Sequence, residues 1–302
     1  MKIMLAIDGS EYSKISTTML KTLQLPSDIT ITMITVVPEY NVLGGITVDT
    51  ILSTVNARKQ IYRYQERRAT ELLKEPFDML RATYGNVESM VCRGKTAEQI
   101  IKKAQEIDAN LIVLGAKGSS NSRRFPLGNV AQKVVRYADC NVLLVRDGPN
   151  AIRRVFLASD GSEYSDQAAQ LLLKLSLPKR SQVTILTALQ SHTVATMNTN
   201  DVSQEINKQI LTELKAAEEK AARSFMNKTK KKFEVAGYDT SLWVLSGEPA
   251  EEILEAANEL NPELIVLGAK GLNDDKSVPL GNIAERVARF SRYSVLISRT
   301  SD

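Results

Sequence analysis

Six glycines, set in two loops of identical spacing, are the residues of this sequence best suited to chemistry. Leu111-Ile112-Val113-Leu114 runs into Gly115-Ala116-Lys117-Gly118, and after nine intervening residues comes Gly128-Asn129. Leu264-Ile265-Val266-Leu267 runs into Gly268-Ala269-Lys270-Gly271, and the same interval leads to Gly281-Asn282. A short apolar run reads as a buried strand, and the residues after Gly128 and Gly281 have helical periodicity. The glycines therefore fall between the carboxyl end of a strand and the amino end of a helix. There a backbone can approach a phosphate closely and unpaired N–H groups point outward. The chemistry implied is a phosphate cradle, present twice.

Other chemistries fit less well. Gly94-Lys95-Thr96 has the tail of a Walker A loop, but that motif needs a glycine five positions before Gly94, where Ser89 stands inside a predicted strand. The triplet reads instead as a turn, with Thr96 and Gln99 forming a capping box for the next helix. No G-x-G-x-x-G follows a strand, so a dinucleotide site is unsupported. The single histidine, His192, has no copy in the first half, which excludes histidine catalysis repeated in both halves. Cys92 and Cys140 form no metal or redox motif, and their counterparts in the second half are Leu245 and Tyr293, so packing accounts for them. No catalytic residue and no metal site is expected.

The elements that position these loops are themselves duplicated. Ile7-Asp8-Gly9-Ser10-Glu11-Tyr12-Ser13 recurs as Ser159-Asp160-Gly161-Ser162-Glu163-Tyr164-Ser165 at an offset of 152, and the glycine loops recur at 153. Arg146-Asp147-Gly148-Pro149-Asn150 carries turn chemistry and marks the boundary, giving domains of 1–148 and 151–302. In the first half, Ile3 to Ile7 reads as a strand, Tyr12 to Leu23 as a helix and Ile29 to Val37 as a strand. After a variable stretch come a long charged helix from Val55 to Leu80, a strand from Val87 to Cys92 and a helix from Ala97 to Ile107. The half ends with the Leu111 strand, a helix from Val130 to Tyr137 and a strand from Val142 to Val145. Alternating strands and helices imply parallel βαβ units, hence an α/β fold of two doubly wound domains with helices on both sheet faces. Ligands bind such sheets beyond the strands' carboxyl ends where the strand order reverses. Asp8 and Gly115 share one crevice provided that their strands are neighbours.

Composition narrows the class. A hydrophobic fraction of 43% with 25% charged residues is that of a globular chain, and 302 residues suffice for two cores. A net charge of +4 does not point to nucleic acid, and Lys228, Lys230, Lys231 and Lys232 read as a solvated helix end. No apolar run approaches the ~18 residues of a membrane span. The opening Met1-Lys2 and the strand after it show no signal peptide, so the expectation is a cytoplasmic protein without membrane or nucleic-acid partners.

The ordered set is Asp-Gly-Ser after the first strand, Leu-Gly-Ala-Lys-Gly, Leu-Gly-Asn opening the last helix, and Val142-Leu143-Leu144-Val145 closing the half. With its second copy it resembles the universal stress protein family across essentially all 302 residues. The resemblance implies five parallel strands per half in the order 3-2-1-4-5, which makes the first and fourth strands neighbours. It implies ATP, accompanied by Mg2+, as cofactor. It assigns Asp8, Val36, Gly115, Gly118, Gly128 and Asn129 to an adenine-nucleotide site in the first half. Asp160, Ala188, Gly268, Gly271, Gly281 and Asn282 form the equivalent site in the second. The aspartates would take the adenosine portion, the strand-end residues the base, and the glycine loops the phosphates. Asn129 and Asn282 depart from the Ser or Thr usual in nucleotide-binding members. The family also implies pairing through the closing strands, here a pseudo-dimer within one polypeptide, with homodimerisation compatible.

Several readings stay open beside this one. Asp8 and Asp160 could serve the turn alone, and the glycines could serve only tight strand-to-helix packing. Lys117 and Lys270 could be plain solvated lysines, and Ser10, Ser13, Ser162 and Ser165 read as helix caps. The function expected is nucleotide binding for sensing or signalling and not turnover. A nucleotide-free interaction scaffold and a slow ATP-hydrolysing enzyme are the alternatives. The loop interiors predict asymmetry. Arg123 and Arg124 stand between Gly118 and Gly128, whereas Asp274, Asp275 and Lys276 stand between Gly271 and Gly281, so tighter ATP binding is expected in the first half.

Overall fold

The computed structural model describes residues 1–23, 25–26, 28–38, 41–42, 46–47, 55–118, 126–146, 152–189, 204–272, 274–275 and 277–299. It comprises two compact units, Met1–Asn150 and Ala151–Thr300.

In the first unit the chain runs β1 (Lys2–Ala6), α1 (Glu11–Thr22), β2 (Thr30–Val37), a short antiparallel pair β3 (Asn41–Val42) and β4 (Ile46–Thr47), α2 (Val55–Arg81), β5 (Asn86–Arg93), α3 (Thr96–Glu106), β6 (Leu111–Gly115), α4 (Asn129–Tyr137) and β7 (Asn141–Val145). The main sheet is wholly parallel in the order β5-β2-β1-β6-β7. Leaving the small β3–β4 pair aside, this is the expected 3-2-1-4-5. The β1–β6 pairing, Ile3 opposite Leu111 through Leu5 opposite Val113, makes those strands neighbours. Helices α1 and α2 pack on one face, α3 and α4 on the other. Burial on both faces is why the strands read as unbroken apolar runs. Ile3, Met4 and Leu5 are fully buried, as are Leu111, Ile112 and Val113. Each such side chain contributes roughly 1.5–3 kcal/mol of transfer free energy.

The second unit repeats the plan with β8 (Arg154–Ala158), α5 (Glu163–Lys174), β9 (Gln182–Leu189), α6 (Gln204–Val235), β10 (Asp239–Ser246), α7 (Pro249–Leu260), β11 (Leu264–Gly268), α8 (Asn282–Phe290) and β12 (Ser294–Ser298). Its parallel strands follow the order β10-β9-β8-β11-β12. A tyrosine anchors the same corner in both units. The buried Tyr84 hydroxyl donates to the Leu20 and Leu23 carbonyls at 2.7 and 3.1 Å, and Tyr238 donates to the Leu177 carbonyl at 3.4 Å. The lysine-rich end of α6 is solvated and paired, Lys232 with Asp166 and Lys230 with Glu234. Among the described residues no helix is long and apolar enough to cross a membrane.

One local expectation is corrected. Thr96 is the first residue of α3 and not its cap. Lys95 occupies the cap position with no side-chain hydrogen bond to the helix, and the Gln99 side chain lies against Gly94. Gly94, the residue between β5 and the Lys95 cap, has a positive φ of 134°. His192 lies outside the described residues.

Candidate functional site

Both units form their cleft at the point where the strand order reverses. In the first, β1 ends where the Ile7 amide donates to the Ile34 carbonyl at 2.9 Å, and the buried Thr35 hydroxyl donates to the Ile7 carbonyl at 2.9 Å. Asp8 follows on a fixed backbone. Its Oδ1 accepts from the Ser10 amide at 2.9 Å, an Asx turn that needs the positive φ of Gly9, 77°. Ser10 then caps α1, its Oγ accepting from the Ser13 amide at 3.3 Å while Ser13 Oγ donates to the Ser10 carbonyl at 2.9 Å. Asp160, Ser162 and Ser165 repeat this arrangement at 3.0, 3.2 and 2.9 Å. The turn role for the aspartates and the capping role for the serines are thus both present.

The turn engages only one oxygen of each aspartate. The other, Oδ2, faces the glycine loop so closely that a Cβ on Gly118 or Gly271 would lie 2.8 Å from it. In the second unit this oxygen accepts from the Leu272 amide at 2.9 Å. Gly115 and Gly268 are glycines for another reason. A Cβ there would stand 2.6 and 2.7 Å from the Cβ atoms of Tyr12 and Tyr164, so these two serve close strand-to-helix packing as well as the cleft wall. Gly128 returns the loop to the sheet, its amide donating to the Ala116 carbonyl at 2.8 Å, and it precedes α4 with extended backbone. Gly281 does the same with Ala269 at 2.8 Å.

A cavity of about 320 Å³ opens above these elements in the first unit. All six residues expected there line it: Asp8, Val36, Gly115, Gly118, Gly128 and Asn129. Lys117 also lines it, with Ile34, Ile100 and Leu114 among its apolar residues. The size lies at the lower end of the ~300–1,000 Å³ usual for small-molecule sites, and apolar walls with a few polar groups are their common character. The second unit holds only about 90 Å³. Asp160, Ala188, Gly268 and Gly271 line it, with Lys270, but Gly281 and Asn282 do not. The Asp274 carboxylate stands there instead, accepting from the Gly271 amide at 2.7 Å.

The loop charges divide accordingly. Asp274 points into the cleft, whereas Asp275 belongs to an exposed turn. Its carboxylate accepts from the Ser277 amide at 2.8 Å, and the hydrogen bonds from Ser277, aided by Lys270, hold it below the ordinary aspartate range. Arg123 and Arg124 lie outside the described residues.

Two contributors escaped the sequence reading. Arg146, read there as part of a boundary turn, is buried, and its Nη1 donates to the Pro126 carbonyl at 2.9 Å, fixing the far foot of the glycine loop. Arg299 does the same to Pro279 at 2.6 Å. The signal was available, since both arginines follow a closing strand at the common offset of 153. The other is Thr96, which lines the first cleft, while its counterpart Pro249 lines the second without a hydroxyl.

Sequence comparison agrees with the duplicated architecture. The profile described as the universal stress protein family matches residues 1–146 and again 151–299. Universal stress protein YxiE of Bacillus subtilis is 27% identical over 146 residues, 48% of this chain and 98% of that one. Universal stress protein Rv2623 of Mycobacterium tuberculosis is 22% identical over 254 residues, covering 80% of each chain. The crystal structure of a universal stress protein from Archaeoglobus fulgidus superposes with a TM-score of 0.61 over 99% of this chain and 98% of that one, at 19% identity. With the family profile matched once in each α/β unit, and nearly end to end, this chain belongs to the universal stress protein family.

Proposed function

We propose that the protein is a cytoplasmic adenine-nucleotide-binding stress protein that senses or signals, with ATP held in the cleft of the first unit. The observation that carries this reading is the convergence of Asp8, Val36, Gly115, Gly118, Gly128 and Asn129 on one cavity of about 320 Å³. Asp8 Oδ2 is suited to accept from ribose hydroxyls or an adenine amino group. The glycine backbone and the amino end of α4 suit phosphate oxygens, and Lys117 adds a positive charge. The Asn129 amide offers an N–H donor where a hydroxyl is usual. Among the described residues no three His, Cys, Asp or Glu side chains stand together as a metal site. Mg2+ in this reading is carried by the nucleotide's phosphates, the manner in which it commonly binds with few protein ligands.

Binding and not turnover is the role proposed, because the described wall of the first cleft offers one carboxylate, already engaged in a turn, and no nucleophile beside a base. Pairing of the two repeats within one polypeptide belongs to the same proposal and rests on the short connecting sequence. The test is to denature the purified protein and assay released adenine nucleotide, then follow phosphate release from added Mg-ATP. Bound or readily bound ATP with negligible turnover supports the reading. Sustained phosphate release replaces it with an enzyme, and a protein that neither carries nor binds nucleotide is a scaffold.

A further inference from the structure

In the second glycine cradle a carboxylate of the loop itself stands among the glycines. Around Gly128 the atoms nearest to the position of a Cβ among the described residues are backbone: the Ala116 carbonyl oxygen, Lys117 Cα and, at 3.7 Å, the Gly118 nitrogen. At the equivalent Gly281 a Cβ would instead collide with the Asp274 carboxylate. That carboxylate accepts from the Gly271 amide at 2.7 Å, and the Asp274 amide donates back to the Gly271 carbonyl at 3.3 Å, closing a four-residue ring. The next loop amide, Leu272, is engaged at 2.9 Å by Asp160. The Gly271 amide, a loop donor of the second cradle, is thus satisfied by a carboxylate of the chain itself, which is the chemistry a phosphate would otherwise supply.

We propose that Asp274 is a built-in occupant of the second phosphate position and sets the specificity of that cleft: it excludes phosphorylated nucleotides, so the chain takes up one ATP and not two. The inference rests on the nucleotide reading of the first cleft. Charge and space support it together. A triphosphate entering the second cleft must displace a carboxylate that is hydrogen-bonded in place, or else lie against a like charge. The remaining hollow, about 90 Å³, is smaller than the first cleft, about 320 Å³. The first half carries Asn121 at the corresponding position, so the negative charge is particular to the second loop.

The experiment measures ATP stoichiometry and affinity on the full chain by titration calorimetry, with circular dichroism as a check on folding. One site is expected in the wild type. Asp274→Ala should show two, the second tightened by at least about tenfold, a factor equivalent to ~1.4 kcal/mol. Adding Asp160→Ala should abolish the gained site. Asp274→Asn restores the first half's residue at nearly unchanged volume, so it carries the test should the alanine variant lose its fold, and it too should gain a second site. Two sites in the wild type, or one site in the wild type and in both variants, overturns the role of Asp274 and leaves the nucleotide reading standing. No ATP binding by any of these proteins overturns the nucleotide reading, and this inference with it.

Discussion

Asp8 has two separable tasks in the structure, and two substitutions separate them. Its Oδ1 accepts from the Ser10 amide at 2.9 Å and shapes the turn into α1, while its Oδ2 is the oxygen turned toward the Gly118 loop. Asp8→Asn keeps a carbonyl oxygen for the turn and replaces the charged oxygen with an NH2 donor. If Oδ2 accepts from the adenosine portion of ATP, this change removes a charge-assisted hydrogen bond, about 1.5–3 kcal/mol, or roughly ten- to a hundredfold in Kd. The melting temperature should stay within about 2 °C of wild type. Asp8→Ala should lose the same affinity and also the turn bond, a net ~1 kcal/mol, which corresponds to a fall of roughly 2–4 °C for a domain of this size. Calorimetry gives the affinities and thermal unfolding the stabilities. Wild-type affinity in Asp8→Asn, with destabilisation in Asp8→Ala, would confine Asp8 to the turn and remove it from the site.

Two further outcomes concern stability. Gly115→Ala puts a Cβ 2.6 Å from the Tyr12 Cβ and 3.1 Å from the Tyr12 carbonyl carbon, neither of which can swing aside. A cost of about 1–3 kcal/mol is expected by thermal unfolding, whereas Gly85→Ala, with nothing within 4 Å, should leave the melting temperature unchanged or slightly raised. The Lys232–Asp166 pair ties α6 to α5, and the Lys232 hydrogen bond holds the Asp166 carboxyl below its ordinary range. A lowered folded-state pKa contributes stability above the unfolded value (~3.9) that is lost as pH falls through the folded one. With the two side chains 41% and 45% exposed, Lys232→Ala should cost less than ~1 kcal/mol at pH 7. In urea unfolding the difference from wild type should vanish under strongly acid conditions, and a gap that widens on acidification would contradict the assignment.

The fold was largely legible because a parallel sheet covered on both faces makes its strands continuous apolar runs. Thus Leu111–Gly115 and Leu264–Gly268 stood out between polar stretches, and the duplication let each half check the other. The β1–β6 adjacency was not in the periodicity, which is a local signal, and came only through the family resemblance. The capping box at Thr96 does not form, because a Thr-x-x-Gln spacing is satisfied equally well one residue into a helix. Arg146 was hidden by its neighbours, for Asp-Gly-Pro-Asn pulled it into a turn although the closing strand had carried it to a buried place beside the loop. The loop charges show most directly where a sequence stops. Counting Asp274 and Asp275 as two equal anions predicted a weaker second site through a screened field. In the structure they are unequal. One is an exposed turn residue and the other takes a backbone amide of the cradle itself, so a graded electrostatic penalty becomes competition for a single hydrogen-bonding position. Sequence spacing could bring both carboxylates near the glycines, but only the path of the chain between Gly271 and Gly281 decides which one turns inward.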